Sequence, residues 1–384
     1  MATRVAACRS LEAETACYTH PMALEMWTLG AGVPKAGTRY AQRVEADGWD
    51  GLLMVDSQNL SADCFVGLAL AAKATDRLKL GTGVTNPWTR HPAVTAAAIA
   101  TVQAESDGRA VLGIGRGDSA LAHLGLAPAP VAVFRRFLEQ LQAYLRGEEV
   151  DLATAAGGST PSDTDGAPRP VDSLGLAGTP PSSRLHWLRP ELPKVPVDVA
   201  CTGPKVIAVG ATIADRVTFA VGADPHRVEW ALSTARAARR AAGLDPDGVS
   251  YGAYVNCVAH PDPETARRLG EGGLASFARF SVMHGTVSGP ADDVERQVFG
   301  ALHDAYDMRV HTRSGTPQAA ALTDEFVDRY AVFGPPDYCV GRLRELASLG
   351  LDRIAVIGPS LGADRADVEV ARERFAAEVL PAMR

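Results

Sequence analysis

The sequence predicts a closed (β/α)8 barrel, an α/β fold of the TIM-barrel kind, with insertions. Eight short apolar segments are spaced along the chain, and longer amphipathic or Ala-rich stretches lie between them. That alternation belongs to a parallel sheet whose faces are covered by helices. A doubly wound open sheet satisfies it too. The count of eight, and a length of 384 residues against the roughly 250 of a typical barrel, favour closure.

The strands read in order as Leu24–Thr28, Gly51–Val55, Leu78–Gly83, Ala110–Ile114, Val197–Ala200, Arg216–Ala220, Tyr251–Val258 and Arg353–Ile357. Each is a short apolar run bounded by polar or turn-forming residues, as a strand buried on both faces should be. Helical stretches include Thr38–Asp47, Phe65–Ala74, Ala93–Ser106 and Val131–Leu145. The first strand lies in "MALEMWTLG", which starts at Met22, so residues 1–21 read as an N-terminal extension and 22–384 as one domain. Two segments break the rhythm. Residues 153–183 are rich in Gly, Ser, Thr, Pro and Asp and lack periodicity, which predicts a flexible surface insertion. Residues 274–331 carry helical patches, "ASFARFSVMHG" and "DEFVDRYAVFG", between the seventh and eighth strands, where an insertion would flank a pocket.

Composition narrows the function. Hydrophobic residues make up 46% and charged residues 22%, an ordinary globular balance. A net charge of -7 supplies no excess of cations to neutralise nucleic-acid phosphates. No apolar run reaches the ~20 residues of a membrane span, and the first 21 residues lack the apolar core of a signal peptide. Six scattered cysteines without a C-x-x-C pair read as reduced structural thiols rather than a metal site, consistent with a cytoplasmic protein.

In a (β/α)8 barrel the active site forms at the C-terminal ends of the strands. Here the first end gives Trp27 and Thr28, and the second gives Asp56, Ser57, Gln58 and Asn59. The third gives Gly83, Val84, Thr85 and Asn86, and the fourth Gly115, Arg116, Gly117, Asp118 and Ser119. The fifth gives Cys201, Thr202, Gly203, Pro204 and Lys205, and the sixth Gly222, Ala223 and Asp224. Small residues let a ligand approach the backbone, and free N–H groups beside a cation hold an anion. "GIGRGDS" and "CTGPK" both have that character, and two such turns on neighbouring strands point to a phosphorylated cofactor. "GIGRGDS" is G-x-G-x-G, not a dinucleotide fingerprint, and the chain has neither a Walker motif nor a G-x-S-x-G elbow. His91, in "TRHPAV", reads as a helix-start residue.

"LGTGVTNPWTRHPAVTAAAIATVQAESDGRAVLGIGRGDSALAHLG" resembles the luciferase-like flavin and deazaflavin oxidoreductases, and within them the methylenetetrahydromethanopterin reductase group. "VPVDVACTGPKVIAVGATIADRVTFAVGADP", "FGPPDYCVGRLRELASLGLDRIAVIGPS" and "RVEADGWDGLLMVDS" extend the likeness over most of the chain from Met22. It fails at 153–183 and is weak over 274–323. The resemblance implies a barrel of the bacterial luciferase-like type, usually a homodimer. The cofactor it implies is coenzyme F420, a deazaflavin, or alternatively reduced FMN, in which case a flavin reductase is a partner. It implies a non-proline cis bond at Gly83–Val84 behind the cofactor ring, with Thr85 and Asn86 lining the ring pocket. The phosphate-bearing tail would lie over Gly115, Arg116, Gly117 and Cys201 to Lys205, with Gly222 nearby. Asp118 matches a position that serves in proton transfer, but an Asp there also reads as a helix cap. Asp56 matches an Asp at the second strand end, and holding the loop is its alternative role. Many relatives follow that Asp with His; this chain has Ser57 there, which removes an acid–base group from the substrate pocket. Trp27 is expected to wall that pocket. Three functions follow: a hydride-transferring deazaflavin oxidoreductase acting on a small molecule, a two-component monooxygenase using reduced FMN, and a non-catalytic flavin-binding relative.

Overall fold

The computed structural model describes residues 24–152 and 171–384. Eight parallel strands close on themselves: β1 (Glu25–Gly30), β2 (Gly51–Met54), β3 (Lys79–Thr82), β4 (Ala110–Ile114), β5 (Val197–Cys201), β6 (Arg216–Phe219), β7 (Ser250–Ala259) and β8 (Arg353–Ile357). Consecutive strands through β7 are neighbours, β8 pairs with β7, and β1 pairs with both β2 and β8, which seals the barrel. Every pairing around it is parallel.

Residues alternate across the strands. Leu52, Leu80, Leu112, Val197, Val199, Val217, Phe219, Ile354 and Val356 belong to the buried layer that also takes residues of the surrounding helices. Trp27, Leu53, Val111, Ala220, Tyr254, Ala355 and Ile357 form a separate cluster in the barrel interior. Trp27 is fitted there by its neighbours: a Cβ at Gly51 would collide with its indole, and one at Gly81 would lie 3.5 Å from it. Its indole N–H donates to Glu25 at 2.9 Å. Glu25 also takes Lys79 and Arg216 as ion-pair partners. Burial pushes the Glu25 carboxyl up, but the two cations outweigh it and hold it at about 2, well below its ordinary 4.5. A second network joins Asp198 to Arg353 at 3.0 Å, with the Thr218 and Ser250 hydroxyls completing the guanidinium's hydrogen bonds.

The expected helices form at Gly37–Asp47, Cys64–Ala74, Pro92–Glu105 and Val131–Leu145. Asp63 caps the second of these, accepting from the N–H groups of Phe65 and Val66, and His91 Nδ1 caps the third, accepting from Ala93 N–H at 3.2 Å.

The two interruptions differ from their sequence reading in detail. The expectation for 1–21, and for 153–170 within the surface insertion, lies outside the described residues. Ser182–Ser183, at the far end of that insertion, pairs antiparallel with Val150–Asp151 instead of running as loop. Residues 274–331 pack into a second hydrophobic cluster containing Leu274, Val282, Val298, Phe299, Phe326, Val327 and Tyr330. Its helices are the end of Pro263–Arg279, Asp293–Ala305 and Asp324–Tyr330. A short strand, Val332–Gly334, then extends β7 by pairing with Cys257–Ala259. Among the described residues no helix is long and apolar enough to cross a membrane.

Candidate functional site

A cavity of about 1040 Å³ opens at the C-terminal ends of the strands. β2 supplies Asp56 and Ser57, β3 supplies Gly83, Val84 and Asn86, and β4 supplies Gly115 to Asp118. β5 supplies Cys201 to Lys205, and the segment after β7 supplies Phe277, Phe280, Met283, His284 and His311. The structure therefore gathers most of the residues singled out from the sequence around one space.

The Gly83–Val84 peptide bond is cis. Gly83 N–H donates to the Met54 carbonyl at 2.7 Å, and a Cβ on Gly83 would lie 2.7 Å from that of Leu53. The chain then returns to the sheet at Thr85, whose N–H donates to Gly113 and whose carbonyl accepts from Gly115. That pairing buries Thr85 behind the wall, so it does not line the cavity as expected; its hydroxyl has no hydrogen-bond partner there. Asn86 does line it. Its Oδ1 accepts from Trp88 N–H and Thr89 N–H, while its Nδ2 is buried without a partner.

Two anion-friendly turns face each other across neighbouring strands. At the first, Gly117 has φ +93, and a Cβ there would run into Leu121. Arg116 is fixed by its Nε–H to Ala129 carbonyl bond at 2.5 Å, leaving the outer guanidinium nitrogens for the cavity. At the second, helix Pro204–Ile213 starts at Gly203 without a side-chain cap, and Lys205 makes no ion pair among the described residues. A helix N-terminus beside an ammonium favours negative charge. Thr202 donates its hydroxyl to Ala220 carbonyl at 3.1 Å, which fixes the turn.

Two further predicted residues stand elsewhere. Trp27 is 2% exposed inside the barrel and plugs it beneath the cavity instead of walling the pocket. Gly222 is absent from the cavity wall; with φ +85, it makes room for Tyr330, which a Cβ would strike. Its role is packing.

The two carboxylates differ in their surroundings. Asp56 is 2% exposed, ion-paired to Arg90 at 2.5 Å and hydrogen-bonded to Gln58 Nε2 at 2.8 Å. Arg90 reaches on to Asp63, the cap of helix Cys64–Ala74, so Asp56 ties the β2 loop to that helix. Asp118 precedes a short helix but makes no capping bond with its side chain. It is ion-paired with Arg279 instead.

Arg279 belongs to a cluster that strand-end reasoning missed. Its guanidinium lies 4.5 Å from the centre of the Tyr306 ring. Tyr306 Oη is 2.6 Å from His311 Nδ1 and 2.8 Å from Ser276 Oγ. Burial pushes the His311 imidazole down to about 4, keeping it neutral. These residues come from the 274–331 insertion, which has no strand-end pattern to mark them. The roof next to Gly203 is anchored by Arg227, itself 1% exposed, which donates to the carbonyls of Val221, Ser288 and Pro290 and to the Ser281 hydroxyl.

Residues 17–353 match the family model described as luciferase-like monooxygenase. A 5,10-methylenetetrahydromethanopterin reductase from Methanolobus tindarius is 27% identical over 328 residues, covering 84% of this chain and 90% of that protein. An F420-dependent glucose-6-phosphate dehydrogenase from Beutenbergia cavernae is 29% identical over 330 residues, covering 83% of this chain and 82% of that protein. The solved coenzyme F420 dependent tetrahydromethanopterin reductase from Methanopyrus kandleri superposes with a TM-score of 0.68 at 21% identity, covering 94% of this chain and 99% of that one. On the match of its sequence from 17 to 353, and on a closed barrel with its cavity at the strand ends, the chain belongs to the luciferase-like monooxygenase family and is an oxidoreductase.

Proposed function

We propose that the chain is a coenzyme F420-dependent oxidoreductase acting on a small organic substrate enclosed in the strand-end cavity. One observation carries the reading: two anion-friendly turns with cations that make no ion pair among the described residues, at Arg116 and Lys205, border one cavity. A flat ring with a long polyanionic tail fits that set. The ring would rest on Gly83 and Val84 and meet Asn86, and the tail would follow Gly115 to Gly117 and Thr202 to Lys205. The similar proteins from Methanolobus and Beutenbergia support the reductase or dehydrogenase sense.

When bound, a deazaflavin supplies a hydride donor or acceptor carbon. The chain's own work is orientation and dryness. The cis-linked β3 turn and the two anion sites hold the cofactor at both ends, which replaces a bimolecular encounter by a fixed one. Phe277, Phe280 and Met283 cover the substrate side and exclude water. Asp118, paired with Arg279 on the far wall, orders the charges there.

A second reading keeps the barrel and uses reduced FMN and oxygen, with a flavin reductase as partner. The uncapped helix at Gly203 favours it, since one terminal phosphate satisfies that site alone. The two separate by experiment: anaerobic titration with F420 and with reduced FMN, and the dependence of each on Arg116, which a short tail would not need. The chain is further proposed to work in the cytoplasm as a homodimer. Helices Cys64–Ala74 and Pro92–Glu105 leave Val66, Leu70 and Val94 more than half exposed, an apolar face that a second copy would cover.

A further inference from the structure

The cavity does not stop at the strand ends. Its lining continues down the flank of the barrel over β1, between helix Gly37–Asp47 and helix Arg365–Arg374. Tyr40, Val44 and Trp49 wall one side of this slot, and Val368, Ala371 and Phe375 wall the other. Barrel helices run back from the strand-end face, so Tyr40 and Val368 stand near the strand ends and Asp47 and Phe375 far from them. Tyr40 to Asp47, and Val368 to Phe375, are seven residue steps each, about 10 Å of helix. Tyr40 is drawn back against β1 and leaves the slot open. Its ring lies 2.5 Å from where a Cβ on Gly30 would stand, and its hydroxyl donates to the Leu29 carbonyl at 3.2 Å. The far end is blind. Trp49 and Phe375 stack there with centres 4.9 Å apart and planes 12° apart, and Asp47 pairs with Arg372 at 2.7 Å beside them. Phe375 opens a π-helical turn, Phe375–Val379, a geometry that recurs at functional sites.

The charges of the slot are confined to its edge and its closed end. Arg43 and Glu369 are exposed at the solvent edge, and Arg372 is spent on Asp47 and on Glu369, each at 2.7 Å. Protein interiors are otherwise packed to crystal density, and apolar space without polar partners holds no ordered water. Such space is stabilised by apolar atoms that enter it. We propose that this slot binds an aliphatic chain carried by the substrate, whose polar, reacting end lies in the strand-end cavity. Shape selects a chain: the slot is long, flanked by a helix on each side and closed at one end. Continuity selects the substrate, because slot and strand ends share one cavity of about 1040 Å³, at the upper end of the roughly 300–1,000 Å³ of ligand pockets. That assignment rests on the deazaflavin reading for its chemistry, but the slot itself needs no cofactor to bind a chain. Val368 and Ala371 then set the chain length and girth that the protein accepts, and Trp49 with Phe375 sets where the chain must end.

The test has a binding arm and a mapping arm. Hexanoate, octanoate and decanoate, each below its micellar concentration, are titrated by calorimetry into the full-length protein without cofactor. Affinity should tighten about fourfold for each added methylene. Val368→Trp, at a half-buried position on the slot wall, should weaken decanoate at least about tenfold and hexanoate less. No binding, affinity that ignores chain length, or decanoate binding indifferent to Val368→Trp overturns the proposal. The mapping arm uses the wild-type protein, so it does not depend on how the variant folds. Decanoate with a diazirine near its methyl end is photolysed on the protein, and the labelled peptides are read by mass spectrometry. Label is expected within residues 37–49 and 365–379, and label confined to Phe277, Phe280 and Met283 overturns the slot as the site. Deazaflavin titration is run separately. A protein that takes decanoate in the slot but binds no deazaflavin sinks the cofactor reading and leaves the chain site standing; one that binds deazaflavin and no decanoate does the reverse.

Discussion

Acid should weaken this barrel through one named carboxylate. Glu25 is held between Lys79 and Arg216 at the N-terminal mouth, with a folded pKa of about 2 against an ordinary 4.5. A folded value below the unfolded one means that the stabilisation is fully present above 4.5 and is lost as pH falls through 4.5 towards 2. The difference is worth roughly 3 kcal/mol. The carboxylate side chain is only 16% exposed, so solvent screens the pair little. The assay is urea unfolding of wild type and Glu25→Gln at intervals from pH 7 to pH 2. At pH 7 the variant should be less stable by about 3 kcal/mol, and the gap should close as Glu25 becomes protonated. A gap that stays constant with pH, or is absent at pH 7, would refute the reasoning, because neither is compatible with a carboxylate stabilised by its charge.

Other consequences follow from single contacts. Gly51→Ala should destabilise by about 1–3 kcal/mol in thermal unfolding, since the new methyl collides with the Trp27 indole that plugs the barrel. Arg227→Met strands the carbonyls of Val221, Ser288 and Pro290, and should cost about 3 kcal/mol while exposing the roof loop to limited proteolysis. Lys205→Glu reverses the charge at the uncapped helix start and should weaken F420 binding at least tenfold by calorimetry, with the far-ultraviolet spectrum unchanged. Val66→Glu with Leu70→Glu should convert a dimer to monomer in sedimentation at micromolar concentration; a wild-type chain that already sediments as monomer rules out the homodimer.

The barrel was legible because its signal is periodic and local. Eight apolar runs separated by helical stretches leave few topologies, and the eight strands form where those runs lie. Most strand-end residues were legible for the same reason, since position in a barrel strand fixes which end faces the cavity. Thr85, Trp27 and Gly222 were misplaced because near a strand end a shift of one residue decides between wall and interior. Trp27 points inward with the barrel's own core, a choice set by the glycine at 51 on the neighbouring strand. His311, Tyr306, Ser276 and Arg279 were invisible. Their meeting depends on how a long insertion folds back on the strands, and no spacing in the chain encodes that contact.

The central claim is that the strand-end cavity takes a deazaflavin by its two anion-friendly turns. Anaerobic titration of the purified chain with F420 and with reduced FMN, followed by fluorescence and calorimetry, tests it directly. The account predicts saturable F420 binding that weakens at least tenfold in Arg116→Glu and again in Lys205→Glu. Binding of reduced FMN alone, indifferent to Arg116, would contradict it and give the cavity to the oxygen-using alternative.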